Sequence, residues 1–422
     1  MKNLENLFAF IKKSPTAFHT VNTVKEELLQ SGFTELSEGD SFSLSDGGKY
    51  FVTRNGSSII AFKYKENSNG FMIVSSHSDS PAFRVKMTHE LTGAYTRLET
   101  EKYGGMILYS WLDRPLSVAG RVIVKNGNTL TKSLFDIDRD FAVIPSVAIH
   151  LNRGVNDSCK LSPAVDMLPL VASEGKALIE EIKGALSVSE ENIVAHDLFL
   201  YNREEGRVFG ANNEFILSPR LDDLECVYAS MTAFLSANDA NSTPVLAVFD
   251  NEEVGSETKQ GAASTFLYDV LSRISGEKYY AMLYNSIMVS ADNAHAKHPN
   301  HPELSDPDNA PLLNSGVVVK WNASQRYATD GLSAALFEQI AKNGGAQLSR
   351  YYNRADLPGG STLGSISNTK VSIPTVDIGL PQLAMHSATE TAGANDLSDM
   401  IKALISFYST AIKRSGDKIE IL

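Results

Sequence analysis

Short, largely apolar runs at 71–76, 245–249, 287–291 and 373–378 read as buried strands. Between and beside them the apolar positions fall three and four apart, over 20–31, 221–236, 331–342 and 396–413, which predicts helices. Leu224, Val227, Tyr228, Met231 and Leu235 set the register of one of these, and Gly344-Gly345 supplies a C-terminal stop for another. Leu4, Leu7, Phe8 and Ile11 repeat at helical spacing before Lys12 and Lys13, an amphipathic helix. Strands alternating with helices predict an α/β fold, a sheet covered by helices on both faces. The middle of the chain reads differently. Arg121-Val122-Ile123-Val124, a Gly-containing turn at 126–128 and Thr129-Leu130-Thr131 predict a hairpin, and 198–201 with 207–209 predict another strand pair around Glu205-Gly206.

Polar residues at the ends of the apolar runs carry the candidate chemistry. Glu252 and Glu253 follow the run 245–249, and two carboxylates at the end of a buried strand are costly unless something positive compensates them. Comparable groups stand after the other runs: His77 with Asp79 two residues on, Asp292, and His386 a few residues past 373–378. Asp222 opens the helix at 221–236. Taken singly, Asp222 is a helix cap, His77 or His386 a satisfied histidine, and the Glu doublet a solvated turn. Taken together, they sit where open α/β sheets build their sites, and a pair of divalent metal ions is the compensating charge we infer. That pattern predicts a metal-dependent hydrolase.

Six ordered blocks, HSDSP (77–81), PRLDDL (219–224), DNEEVGS (250–256), SADNAHAKHPN (290–300), QRYATD (325–330) and PQLAMHS (381–387), resemble the M18 family of metalloaminopeptidases, the aspartyl aminopeptidases. The resemblance implies a zinc-peptidase sheet and two divalent ions, zinc first, although His and carboxylate ligands suit manganese and cobalt alike. It implies that Asp222 bridges the ions, with His77 and Asp292 on one and Glu253 and His386 on the other. Glu252 would be the general base and Asp79 would orient His77. His150 also matches a family histidine; it is expected to reach a neighbouring subunit's site and bind substrate, with a metal-ligand role or a core or interface place as alternatives. Lys320 matches the position expected to meet an acidic substrate side chain, and Arg326 and Arg354 are further basic candidates. The loop 358–362 resembles the family's substrate loop with changes, and Trp321 stands beside Lys320, which leaves a broader or neutral preference open. The resemblance also implies a cis bond between Asp222 and Asp223. At least two of His295, His298 and His301 are expected not to be ligands.

A chain of 422 residues exceeds a usual single core. The ligand candidates divide it into a first catalytic part at 1–84, an inserted strand-rich domain at 85–216 and a second catalytic part at 217–422. In the M18 family such an insertion mediates dimerisation, and dimers assemble into a dodecamer. A net charge of −12 argues against nucleic-acid or anionic-membrane binding, and no apolar stretch is long enough to span a bilayer. The two cysteines form no disulfide framework and suit a cytoplasmic setting. The leading reading is an aminopeptidase releasing N-terminal Asp or Glu from peptides. A two-metal N-acyl deacylase and a non-enzymatic self-assembling scaffold are the alternatives.

Overall fold

The computed structural model describes residues 2–357 and 359–422. Four expected runs form the centre of a nine-stranded sheet: Thr243–Phe249, Phe71–His77, Ile287–Ala291 and Thr375–Gly379 lie side by side and run parallel. All their residues are buried, as in a parallel sheet covered on both faces. Successive side chains point to opposite cores. Met72, Val74, Leu246 and Val248 pack with the helices Lys2–Lys12, Ala17–Gln30, Leu221–Ser236, Gly331–Asn343 and Asp396–Tyr408. Phe71, Ile73, Val245 and Ala247 pack with Phe266–Ser275 and Tyr279–Tyr284. The fold is the expected α/β arrangement. The strands Thr34–Leu36, Lys49–Arg54 and Ser58–Lys63 extend the sheet on one side, and Val317–Trp321 and Leu348–Tyr352 on the other.

The middle of the chain builds a separate six-stranded antiparallel sheet, in the order Thr129–Asp136, Leu116–Asn126, Ile193–Asn202, Ala82–Leu91, Thr96–Tyr103 and Leu170–Ala172, over its own core of Phe83, Trp111, Val118, Leu198 and Leu200. The predicted hairpin is present as Leu116–Asn126 paired with Thr129–Asp136, turning at Gly127 with φ 58°. The predicted strand pair around Glu205-Gly206 is not. Ile193–Asn202 pairs with Leu116–Asn126, while Arg207–Phe209 pairs with Phe215–Ser218. Gly206 is a glycine of close approach rather than of a turn, because a Cβ there would stand 2.2 Å from the Phe8 ring. The chain reverses instead at Gly210 and Asn213, both at positive φ.

Phe215–Ser218 then pairs with Glu390–Gly393 in a five-stranded sheet shared with the C-terminal part, so 207–218 pair away from the strands that precede them and across the boundary expected at 216. The last long helix also stops short of 413, at Tyr408; Ile412–Ser415 and Lys418–Ile421 form a hairpin turning at Gly416, φ 59°. Among the described residues, no helix is long and apolar enough to cross a membrane.

Candidate metal centre

A parallel sheet sets the carboxyl ends of its strands along one edge, and the candidate residues collect there. His77 ends its strand, Asp292 directly follows Ala291, and Glu252 and Glu253 begin a single 3-10 turn three residues past Phe249. Asn251 (φ 64°) and Gly255 (φ 99°) bracket that turn, two residue types that tolerate left-handed backbone. Asp222 sits at the start of Leu221–Ser236 with non-helical backbone, and the Asp222-Asp223 bond is cis, as expected.

The side chains converge. Asp222 Oδ1 is 3.4 Å from His77 Nε2, and Asp222 Oδ2 is 3.5 Å from His386 Nε2. Asp292 Oδ1 is 3.9 Å from His77 Nε2, and Glu253 Oε2 is 3.4 Å from His386 Nε2. Potential ligand atoms of His77, Asp222, Asp223 and Asp292 lie within 4.8 Å of one another, as do those of Asp222, Glu253 and His386, and those of His77, Glu252 and Glu253. Asp222 is no helix cap: its Oδ1 is buried without a hydrogen-bond partner, and so is Glu253 Oε1. Orphaned buried carboxylate oxygens beside two imidazoles are costly as protein alone, and this donor set fits a divalent cation such as zinc.

Electrostatics within the cup agree. Burial lifts the Glu252 carboxyl to about 8, with His77 opposing and Asp292, Asp79 and Asp222 adding to the rise. Burial likewise raises Glu253 well above the carboxylate range. Burial pushes Asp222 upward too, but the adjacent His386 and His77 rings outweigh it and hold it low. His386 is depressed by burial yet lifted overall to about 10 by Asp222 and Glu253. Negative charge is in excess there, and neighbouring cations are stabilised.

A surrounding set of hydrogen bonds fixes the rings. His77 Nδ1 faces the Asp79 carbonyl at 3.0 Å and His386 Nδ1 faces the Gly105 carbonyl at 2.8 Å, so each Nδ1 carries the proton and each Nε2 is free to face a metal. Asp79 accepts the N–H groups of Glu252 and Glu253, both at 3.2 Å. Glu390, which the sequence reading missed, accepts the N–H groups of Asp222 and His386 at 3.0 and 2.8 Å. Asp223 was also missed as part of the cluster; its Oδ2 accepts the His77 N–H at 3.0 Å.

The remaining candidates fall elsewhere. Lys320 is buried, with Nζ 3.7 Å from Asp292 Oδ2 and over the Tyr327 ring. Arg326 is exposed, and Arg354 pairs with Asp356 at 2.7 Å. His150 is exposed and belongs to none of the three clusters, against its reading as a ligand. His295, His298 and His301 join none either; His298 and His301 pack on each other, and His295 packs on Tyr351. In the loop 358–362, Pro358 lies outside the described residues, and Thr362 donates to buried Asp377 at 2.5 Å.

The family profile described as aminopeptidase I zinc metalloprotease (M18) matches residues 10–408. The chain belongs to the M18 family of metalloaminopeptidases. A probable M18 family aminopeptidase 2 of Clostridium acetobutylicum is 44% identical over 424 residues, spanning 96% of this chain and 98% of its own. Its namesake from Pseudomonas aeruginosa is 37% identical over 421 residues, with the same coverage of 96% and 98%. Among solved structures, one from the cryo-EM complex of Ape4 and Nbr1 superposes with TM-score 0.91 at 34% identity, covering 96% of this chain and 85% of that one. The S. cerevisiae mApe1 dodecamer gives TM-score 0.85 at 27% identity, covering 96% of both chains. This M18 enzyme is therefore a hydrolase of the aminopeptidase class in a zinc metalloprotease family.

Proposed function

We propose that the enzyme removes the N-terminal residue of peptides, Asp or Glu by preference, with two zinc ions held in the cup. His77 and Asp292 would hold one ion, Glu253 and His386 the other, and Asp222 would be shared. The observation that carries this reading is the single buried Asp222 carboxylate with one oxygen beside His77 and the other beside His386. Such ions supply Lewis acidity toward the scissile carbonyl and lower the pKa of water to about 7.

The protein's own groups do the rest. Glu252, raised by burial and tethered through its N–H to Asp79, is the base that accepts the attacking water's proton and delivers it to the leaving amine. Asp79 holds His77 in place. Lys320, a buried fixed positive charge at the wall of the cup, favours an acidic substrate side chain. Exposed Arg326 and paired Arg354 lend less support to that role.

The six-stranded sheet would serve dimerisation, and dimers would build a dodecamer, by analogy with the mApe1 dodecamer. Exposed Val147, Ile149 and Leu151 flank exposed His150, which supports contact with a second copy and a substrate role for His150 there. Unpaired Cys159 and Cys226 support a cytosolic setting.

The test is hydrolysis rate against N-terminal residue, with and without chelator and with zinc, manganese or cobalt restored, alongside N-acyl substrates. Fastest release of Asp or Glu that depends on metal supports the proposal. Full turnover after exhaustive demetallation, or cleavage of the N-acyl compounds alone, overturns it.

A further inference from the structure

Among the described residues the middle of the chain supplies no side chain to the three clusters, yet one of its strands ends against them. Thr96–Tyr103 belongs to the six-stranded sheet, and its last residue with the two that follow touches three groups of the cup. The Tyr103 hydroxyl donates to Asp79 Oδ2 at 2.7 Å and accepts from Asn251 Nδ2 at 2.8 Å. Since the Asn251 amide can only donate there, the hydroxyl's own proton is committed to Asp79. Asp79 in turn faces the His77 ring, with Oδ1 3.4 Å from Nδ1, and accepts the Glu252 and Glu253 N–H groups. Gly104, at φ 79°, lies so close to Glu253 that a Cβ would stand 3.1 Å from the Glu253 Cβ. The Gly105 carbonyl fixes the His386 ring at 2.8 Å.

We propose that Tyr103 is a positioning residue for the metal centre, and that the segment Tyr103-Gly104-Gly105 ties the six-stranded sheet to both halves of the cup. The inference rests on the assignment of His77, Glu253 and His386 as ligands. Through Asp79 the hydroxyl holds the His77 ring and the Glu252-Glu253 turn in one arrangement, so both the holding of metal and the aim of the base depend on a residue outside the catalytic sheet. Outer hydrogen bonds of this kind typically change metal affinity 10- to 100-fold.

Tyr103→Phe removes only the hydroxyl and keeps the ring that packs edge-on against Phe199 at 5.4 Å. Zinc affinity of the full-length protein is measured by competition with a chromogenic chelator, together with the visible spectrum of the cobalt-loaded form and the thermal midpoint of the zinc-free protein. The expected result is zinc binding about 10- to 100-fold weaker, an altered cobalt spectrum and an unchanged midpoint. Gly104→Ala, which crowds Glu253 from the same segment, is expected to weaken zinc as well. Affinity of Tyr103→Phe within twofold of the parent overturns the inference, whatever Gly104→Ala does. His77→Ala and His386→Ala separate the two readings: if they too leave zinc binding intact, the ligand assignment has failed and this inference falls with it.

Discussion

Stripping metal from the enzyme with a chelator is expected to make its stability fall as pH rises from about 5.5 to 8. Glu390 is buried, and burial together with the Asp222 charge lifts its carboxyl from 4.5 to about 8. A carboxyl whose folded pKa exceeds its unfolded value binds more protons folded than unfolded. Its stabilising contribution is full below the unfolded pKa and is lost as pH rises through the folded one. At pH 7 the gap from 4.5 spans about 2.5 units at roughly 1.4 kcal/mol each, so this one group lowers stability by about 3 kcal/mol. Glu252, displaced from 4.5 to about 8 with burial as the leading cause, acts in the same direction. For a protein of 422 residues a loss of about 3 kcal/mol lowers the melting midpoint by roughly 3–5 °C. Differential scanning calorimetry of chelated and zinc-loaded samples across this range is the assay, with the gap between them widening toward pH 8. Chelation near pH 7 in weak buffer should also draw protons from solution. A chelated midpoint that stays level or climbs between pH 5.5 and 8 would refute the argument that buried carboxyls in this cup are held ionised only by bound cations.

Three further outcomes follow from particular side chains. Glu252→Gln is expected to lower kcat about 100- to 10,000-fold while bound metal, measured by atomic emission, is unchanged; a loss under tenfold would remove Glu252 from the role of base. Lys320→Met should reduce kcat/KM for Glu-initiated peptides roughly 10- to 100-fold relative to Leu-initiated ones, and an unaltered ratio would place acid recognition elsewhere. Gly206→Ala drives a methyl to 2.2 Å from the Phe8 ring, which should cost about 1–3 kcal/mol in urea denaturation; an unshifted midpoint would show that the N-terminal helix yields freely.

What was legible in the chain follows from locality. Each central strand is a continuous apolar run because both its faces are buried, and each delivers its polar residue at one predictable end, which is how His77, Glu252, Glu253 and Asp292 came to be named together. The five-stranded sheet escaped notice because its strands are two to four residues long and pair across distant parts of the chain. The terminal hairpin had a signal that went unused: Ile412, Arg414, Ile419 and Ile421 alternate around Gly416-Asp417, a two-residue turn. Tyr103 and Glu390 had none, since a lone tyrosine or glutamate ending or starting a strand resembles any other until the fold closes. Lys320 is basic in any reading of the chain, but its burial 3.7 Å from Asp292 depends on packing no local pattern reveals.

The five proposed ligands, His77, Asp222, Glu253, Asp292 and His386, are scattered along nearly the whole chain. A zinc pair gripping them all would act as a knot drawn through remote loops, and the entropy of closing such loops would be restrained as long as the knot holds. Freshly made polypeptide would gain this restraint only when its last third, with Asp292 and His386, has emerged.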